Sequence, residues 1–226
     1  MDSGAWGTLD TAQSAAGGPL AGEAPSFSPT RGGGLLEQAL SARRARLAND
    51  RIADSARRGV ALDMGCGAHP FFLLGTNFRQ KVGVDRRQGT TWSQSLGAGL
   101  HMAVCDLEQG GALPFRNDCF HVITMLAVLE HIAADRVAFL LGEAYRVLRP
   151  AGRLILTTPP PWTNRLLPLL AKFGLVSQDE IEEHESAYTA ADLRLLLRMS
   201  GFESSVNAGY FECYMNTWAT ADKVDL

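Results

Sequence analysis

The chain is short of cysteine, of charge imbalance and of long apolar runs, and each shortage removes a class of function. Its four cysteines, Cys66, Cys105, Cys119 and Cys213, form no C-x-x-C pair, and their spacing fits neither a zinc cluster nor a disulfide framework. Three of them fall in or beside predicted strands, where a free thiol reads as a small buried apolar group; Cys66 stands apart, inside a glycine loop. A formal charge of −3 gives no general attraction to nucleic acid or to an anionic membrane. No apolar stretch approaches the roughly 18 residues needed to cross a bilayer. The first residues lack a basic-then-apolar leader, so the expected location is cytoplasmic. A base-flipping Asn/Asp-Pro-Pro-Tyr/Phe motif is also missing, since Thr158-Pro-Pro-Pro161 has neither the amide nor the stacking ring.

The 226 residues, 46% of them apolar, suffice for one sizeable α/β domain. Residues 1–34 are rich in Gly, Ala, Ser and Pro without apolar period, and read as a flexible tail preceding a domain over 35–226. Leu35 to Ser55 has helical spacing, with Arg43, Arg44, Arg46 and Arg51 on it and Arg57 and Arg58 just beyond. Acidic residues dilute that charge and no aromatics interleave, so a solvated helix face is expected. Strand and helix signals then alternate. Strands are expected at Val60–Met64, Lys81–Val84, Leu100–Cys105, Phe120–Leu126 and Arg153–Thr158. A helical stripe from Ala133 to Leu148 is stopped by Arg149-Pro-Ala-Gly152. Such alternation implies a parallel, doubly wound sheet, whose ligands bind at the carboxyl ends of the strands. A short helix over Arg165–Phe173 and an acidic loop from Ser177 to Glu185 follow, then a capped helix at Thr189-Ala-Ala-Asp192. Two last strands are expected near Glu203–Ala208 and Cys213–Thr220, joined as a hairpin through Gly209-Tyr210.

The most informative stretch is Val60-Ala-Leu-Asp-Met-Gly-Cys-Gly-Ala-His-Pro70 with Val82-Gly-Val-Asp85 after it. An apolar strand runs into a glycine turn, and a second strand ends on a carboxylate twenty residues after Gly65. A glycine turn lets backbone approach a ligand, and an acid at that distance can accept from ribose hydroxyls, which points to a nucleoside-containing cofactor. A nicotinamide loop would read G-x-G-x-x-G; here the third glycine is absent and Pro70 suits the first turn of a helix. Asp63 can hold loop amides or, through water, an ammonium. Val104-Cys-Asp106-Leu107 offers a carboxylate for an adenine amino group and a backbone N–H for the ring.

On Leu62-Asp-Met-Gly-Cys-Gly67, Gly83-Val-Asp85, Asp106-Leu107, Leu113-Pro-Phe115, Leu129-Glu-His-Ile132 and Val147-Leu-Arg-Pro-Ala-Gly152, the chain resembles the class I S-adenosylmethionine-dependent methyltransferases of the small-molecule type. The resemblance implies an α/β, Rossmann-like, doubly wound seven-stranded sheet, mostly parallel with an antiparallel C-terminal strand. It further implies S-adenosylmethionine as cofactor, with Asp63, Gly65, Cys66 and Gly67 around its methionine and ribose end. Asp85 and Arg86 would lie at the ribose, Asp106 and Leu107 at adenine, and the backbone of Met125 and Leu126 at the ammonium. His69 stands where the family usually has glycine, and His121 where its fourth strand usually begins with aspartate.

The expected reaction is methyl transfer to an O, N or C atom of a small-molecule acceptor, with no nucleic acid or membrane partner and a monomer or homodimer. His131, His184 and Tyr188 are candidates for a base, and Glu130, Trp162 and Tyr210 for acceptor contacts. Asp179, Glu180, Glu182 and Glu183 are hard ligands, yet successive loop carboxylates point apart, so a lid or substrate wall is expected there and no metal site. The alternatives are a catalytically silent cofactor-binding or scaffold protein and, more remotely, a nicotinamide oxidoreductase.

Overall fold

The computed structural model describes residues 35–86, 99–163, 186–203 and 205–224. The tail read over 1–34, the helix over 165–173 and the acidic loop with His184 lie outside the described residues.

Seven strands make one sheet: β1 (Val60–Met64), β2 (Gln80–Asp85), β3 (Leu100–Val104), β4 (Phe120–Leu126), β5 (Leu148–Thr158), β6 (Val206–Phe211) and β7 (Asn216–Asp222). Their order is β3-β2-β1-β4-β5-β7-β6. The pairs from β3 through β5 are parallel, and β7 runs antiparallel to both β5 and β6. The central strands are mostly apolar because helices cover both faces, with Asp63 of β1 and Thr124 of β4 as buried polar exceptions. In β1, Ala61, Leu62 and Met64 are fully buried, and in β4 so are Phe120, Ile123 and Met125.

Among the described residues, four helices supply those covers: α1 (Leu35–Asp50), α2 (Phe71–Gly75), α3 (Ala134–Val147) and α4 (Ala190–Met199). Val137, Leu140, Leu141, Ala144 and Val147 of α3 follow helical spacing and join Leu193 and Leu197 of α4 in one apolar layer. Ala45 and Ala48 of α1 and Phe72 and Leu73 of α2 pack with Val122 and Ile155 in a second cluster. The start of α4 is a capping box, with Thr189 and Asp192 each binding the other's backbone N–H. Arg51 and Arg57 depart from the solvated-face expectation. Arg51 stacks on Trp218, its guanidinium carbon 3.9 Å from the ring centroid, and Arg57 donates to the carbonyl of Asn49 at 2.9 Å.

The expected hairpin turn is displaced. Gly209 and Tyr210 lie inside β6, paired with Trp218 and Thr217, and the reversal occurs at Glu212-Cys-Tyr-Met215. Glu212, Cys213 and Tyr214 have positive φ of 52°, 54° and 68°. Gly209 is a strand residue because the Trp218 ring lies over it; a Cβ there would come within 3.1 Å of the indole nitrogen. β5 also starts earlier than expected, at Leu148, because the chain leaves the helix there in extended form and pairs with Phe120 before the main ladder begins at Arg153.

Candidate functional site

A cavity of about 130 Å³ opens at the carboxyl ends of β1, β2, β3 and β4. Gly65, Gly67, Asp85, Arg86, Asp106 and Leu107 line it on one side, and Ala127, Val128, His131 and Ile132 on the other. Sequence position alone separates these groups by up to 67 residues; strand pairing brings them together.

The loop after β1 turns on two left-handed glycines, Gly65 and Gly67, both at φ 72°. They face different surroundings. A Cβ on Gly65 would lie 2.5 Å from a methyl of Val128, so that position is closed by packing. A Cβ on Gly67 would meet nothing within 4 Å, so the backbone there faces open space beside the cavity. The Gly67 amide donates to Asp85 Oδ2 at 2.9 Å, which ties the tip of β2 to the loop. Asp106 Oδ1 accepts from the amides of Glu108 and Gln109, both at 2.9 Å, and shapes the turn after β3. Arg86 pairs with Glu108 at 3.3 Å across the cavity rim. His69 rests edge-on against Phe71, ring centroids 4.4 Å apart, so the histidine in the usual glycine position is accommodated by an aromatic contact.

Beneath the loop, Asp63 is buried and accepts from the Thr124 hydroxyl at 2.6 Å. Burial pushes its carboxyl up to about 7; the Thr124 hydrogen bond opposes this and the nearby charge of Asp85 adds to it. Cys66 is buried, and desolvation with the two aspartates raises its thiol well above the usual range, so it stays protonated.

Leu126 of β4 is half-buried and Met125 is fully buried; the cavity wall there is made by the next residues, Ala127 and Val128. Ala127 sits at φ 58°, and its amide donates to Thr157, which turns the chain over the end of β4. Glu108, Ala127, Val128, Ile132 and the supporting Thr124 were not named as site residues from sequence, although Ile132 closes the Leu129-Glu-His-Ile132 motif. Adjacency to Asp106-Leu107 was a usable signal for Glu108, and that motif for Ile132; the others carry none.

Glu130 and His131 occupy successive positions of the short turn Leu129–His131 yet part company. His131 lines the cavity, whereas Glu130 is buried on the other side and accepts from the Thr158 hydroxyl at 3.1 Å. Thr158 pairs across the sheet with Thr217, and Thr217 with Tyr210. The Thr217 hydroxyl donates to the carbonyl of Tyr188, and the amide of Ala190 donates to the Tyr210 hydroxyl at 3.4 Å. The Tyr188 hydroxyl oxygen is buried with no hydrogen-bond partner among the described residues. Glu130, Tyr188 and Tyr210 thus belong to one flank; Trp162, four residues after the end of β5, is exposed. Among the described residues, no group of three or more His, Cys, Asp or Glu is placed to hold a metal ion, and no helix is long and apolar enough to cross a membrane.

Residues 62–156 match a family described as a methyltransferase domain. Over 75 residues the chain is 36% identical to a ubiquinone/menaquinone biosynthesis C-methyltransferase of Desulfotalea psychrophila, covering 33% of this chain and 28% of that protein. Over 186 residues it is 27% identical to a protein of Mycolicibacterium smegmatis named as a probable S-adenosylmethionine-dependent methyltransferase, covering 79% of this chain and 65% of the other. The chain therefore spans less than two thirds of each of these curated relatives. Among solved structures, a methyltransferase in complex with the Trm112 activator of Haloferax volcanii superposes with a TM-score of 0.64 at 14% identity, over 84% of this chain and 94% of that one. An S-adenosylmethionine-dependent methyltransferase of Mesorhizobium loti gives a TM-score of 0.60 at 15% identity, over 83% of this chain and all of the other. At such identities the likeness establishes the fold.

Proposed function

From the premise that the chain carries a class I S-adenosylmethionine-dependent methyltransferase domain, we propose that it transfers a methyl group to an oxygen, nitrogen or carbon atom of a small-molecule acceptor. The observation that carries this reading is the cavity in which an open glycine backbone, Gly67, meets two strand-end acids, Asp85 and Asp106, with His131 on the facing wall. We assign the catalytic unit to residues 35–226, acting as monomer or homodimer.

The bound cofactor supplies a methyl group on a sulfonium, already a strong electrophile. The protein's task is therefore alignment and exclusion of water. The Gly65–Gly67 loop gives the cofactor backbone to lie on, Asp85 accepts from its ribose, and Asp106 with the Leu107 amide holds its adenine edge. Asp63, buried below the loop, favours a cationic group above it whenever its own carboxyl is ionised. Arg86, tethered to Glu108, closes the rim. His131 is placed on the cavity wall to take a proton from an acceptor hydroxyl or amine as its nucleophilic atom is methylated. Glu130, held by Thr158, and Tyr188 and Tyr210 beside it form the acceptor wall, with Trp162 at its edge. The balanced charge supports a small acceptor over a nucleic acid.

Isothermal titration with S-adenosylmethionine and with NADH tests the cofactor. Heat from the first alone is expected; heat from NADH alone would sink the proposal in favour of an oxidoreductase. Saturable binding without turnover across an acceptor panel would instead mark a silent cofactor-binding protein.

A further inference from the structure

A second cavity, about 400 Å³, lies at the opposite end of the sheet, where β4 and β5 begin and β7 ends. His121, Arg149, Arg153 and Asp222 line it, with Ile52 and Val122 among its apolar surface. His121 is five residues before Leu126, which places this cavity about 17 Å along β4 from the cofactor end, at 3.3 Å per residue.

Its polar wall is built by a shift in register. Phe120 pairs with Leu148 but Val122 pairs with Arg153, so residues 149–152 bulge out opposite His121. The bulge is fixed from behind: Ala151 donates to the carbonyl of Lys223 at 2.9 Å, and the Lys223 amide donates to Gly152 at 3.0 Å. Lys223 Nζ adds a bond to the carbonyl of Leu148 at 2.8 Å. Ala151 is held at φ 57°, a conformation that persists only where the surroundings over-determine it. The His121 ring is wedged just as firmly, since a Cβ on Gly59 would lie 2.2 Å from it.

The hydrogen bonds at this wall do not close. The Val60 amide donates to His121 Nδ1 at 3.1 Å. A neutral imidazole has one acceptor nitrogen, so Nε2 must carry the proton. That nitrogen lies 2.7 Å from Arg149 Nη1, which is also only a donor. Two donors therefore face one another at the cavity wall. The nearby carboxylate does not relieve them, because Asp222 takes both arms of Arg153, at 2.6 and 2.8 Å. The remaining Arg153 nitrogen donates to the carbonyl of Arg51 at 2.9 Å.

We propose that this cavity binds a small molecule through an oxyanion, a carboxylate or a phosphate, which accepts from His121 Nε2–H and from the Arg149 guanidinium together. An arginine fork presents paired donors that suit either anion, and the apolar lining suits a short carbon skeleton attached to it. Burial and the Arg149 charge lower the basicity of His121, which keeps the ring neutral and its Nε2–H available as a donor. The site is independent of the cofactor pocket and of the reaction proposed for it.

The test is a titration of the full chain, ¹⁵N-labelled at histidine and arginine side chains, with inorganic phosphate and separately with succinate, at constant ionic strength. Saturable shifts of the His121 Nε2 and Arg149 resonances are expected, and the probe that saturates at lower concentration names the anion. Arg149→Gln should weaken that binding at least about tenfold and leave S-adenosylhomocysteine affinity unchanged, which also reports that the variant folds. Resonances that stay fixed, or drift linearly without saturation, in the wild-type chain would overturn the proposal whatever the variant does. So would equal affinity of the wild type and Arg149→Gln.

Discussion

On the two sides of β4, the ligand-facing end of the sheet is made from different materials. β1, β2 and β3 end in glycine backbone and short acids: Gly65, Gly67, Asp85 and Asp106. The β5–β7–β6 flank instead presents side chains that depend on one another, Glu130 on Thr158, Thr217 on the Tyr188 carbonyl, and Tyr210 against the start of α4. The first arrangement needs only a turn and a carboxylate at fixed places, and the match to a methyltransferase domain runs over 62–156, through β1 to β5. The second lies largely after that segment. A shared cofactor requires a shared backbone path, whereas an acceptor is distinguished by side chains. On the proposed function, cofactor binding falls to the first half and acceptor choice to the second, and each half can be perturbed separately.

The sharpest perturbation is Gly65→Ala. A Cβ there is strained by the positive φ and strikes Val128 at 2.5 Å. A loss of about 3 kcal/mol in urea unfolding is expected, together with loss of cofactor binding. Gly67→Ala, whose Cβ meets open space, should cost only about 1 kcal/mol in stability while still weakening the cofactor. Equal destabilisation by the two would refute the distinction drawn between them.

Asp63 provides the next effect. Its carboxyl titrates at about 7 in the fold, and in the unfolded chain at about 3.9. The folded state thus holds the proton more tightly, so the contribution to stability is full below about pH 4 and is lost as pH rises through 7. Between pH 5 and pH 8 the wild type should lose on the order of 2 kcal/mol relative to Asp63→Asn, measured by unfolding both at each pH. A difference that does not change with pH would mean that Asp63 is ionised in the fold throughout.

Asp85→Ala should raise the dissociation constant for S-adenosylhomocysteine roughly ten- to a hundredfold, as loss of a charged hydrogen-bond acceptor does. Glu130→Gln should leave that constant within about twofold and lower turnover about tenfold once an acceptor is in hand. If Glu130→Gln weakened the cofactor as much as Asp85→Ala, the division at β4 would be lost.

Legibility followed the same division. The bounds of β1 and β4 are those expected from the apolar runs, because a strand buried on both faces is apolar at most of its positions. The meeting of the glycine loop with the acids after β2 and β3 at one cavity was legible because each stands at or just after the end of a strand. The β6–β7 turn was misplaced because Gly209 reads as a turn, when its small size instead makes room for Trp218, nine residues later. Nor did sequence, which assigned His131 and Glu130 different roles, show that they face opposite sides, since the short helical turn that parts them has no periodic signature.

The sequence by itself determined a mostly parallel α/β sheet with a glycine loop and strand-end acids at its carboxyl edge. Alternation, apolar period and a glycine turn followed by an acid are local properties, set by backbone sterics and burial. Tertiary structure alone decided which side chains meet. It buried Asp63 under the loop, joined Glu130 to Thr158, and set His121 against Arg149 across a bulge. Those pairings lie 28 residues apart, and they exist only because strand register converts separation in sequence into contact in space.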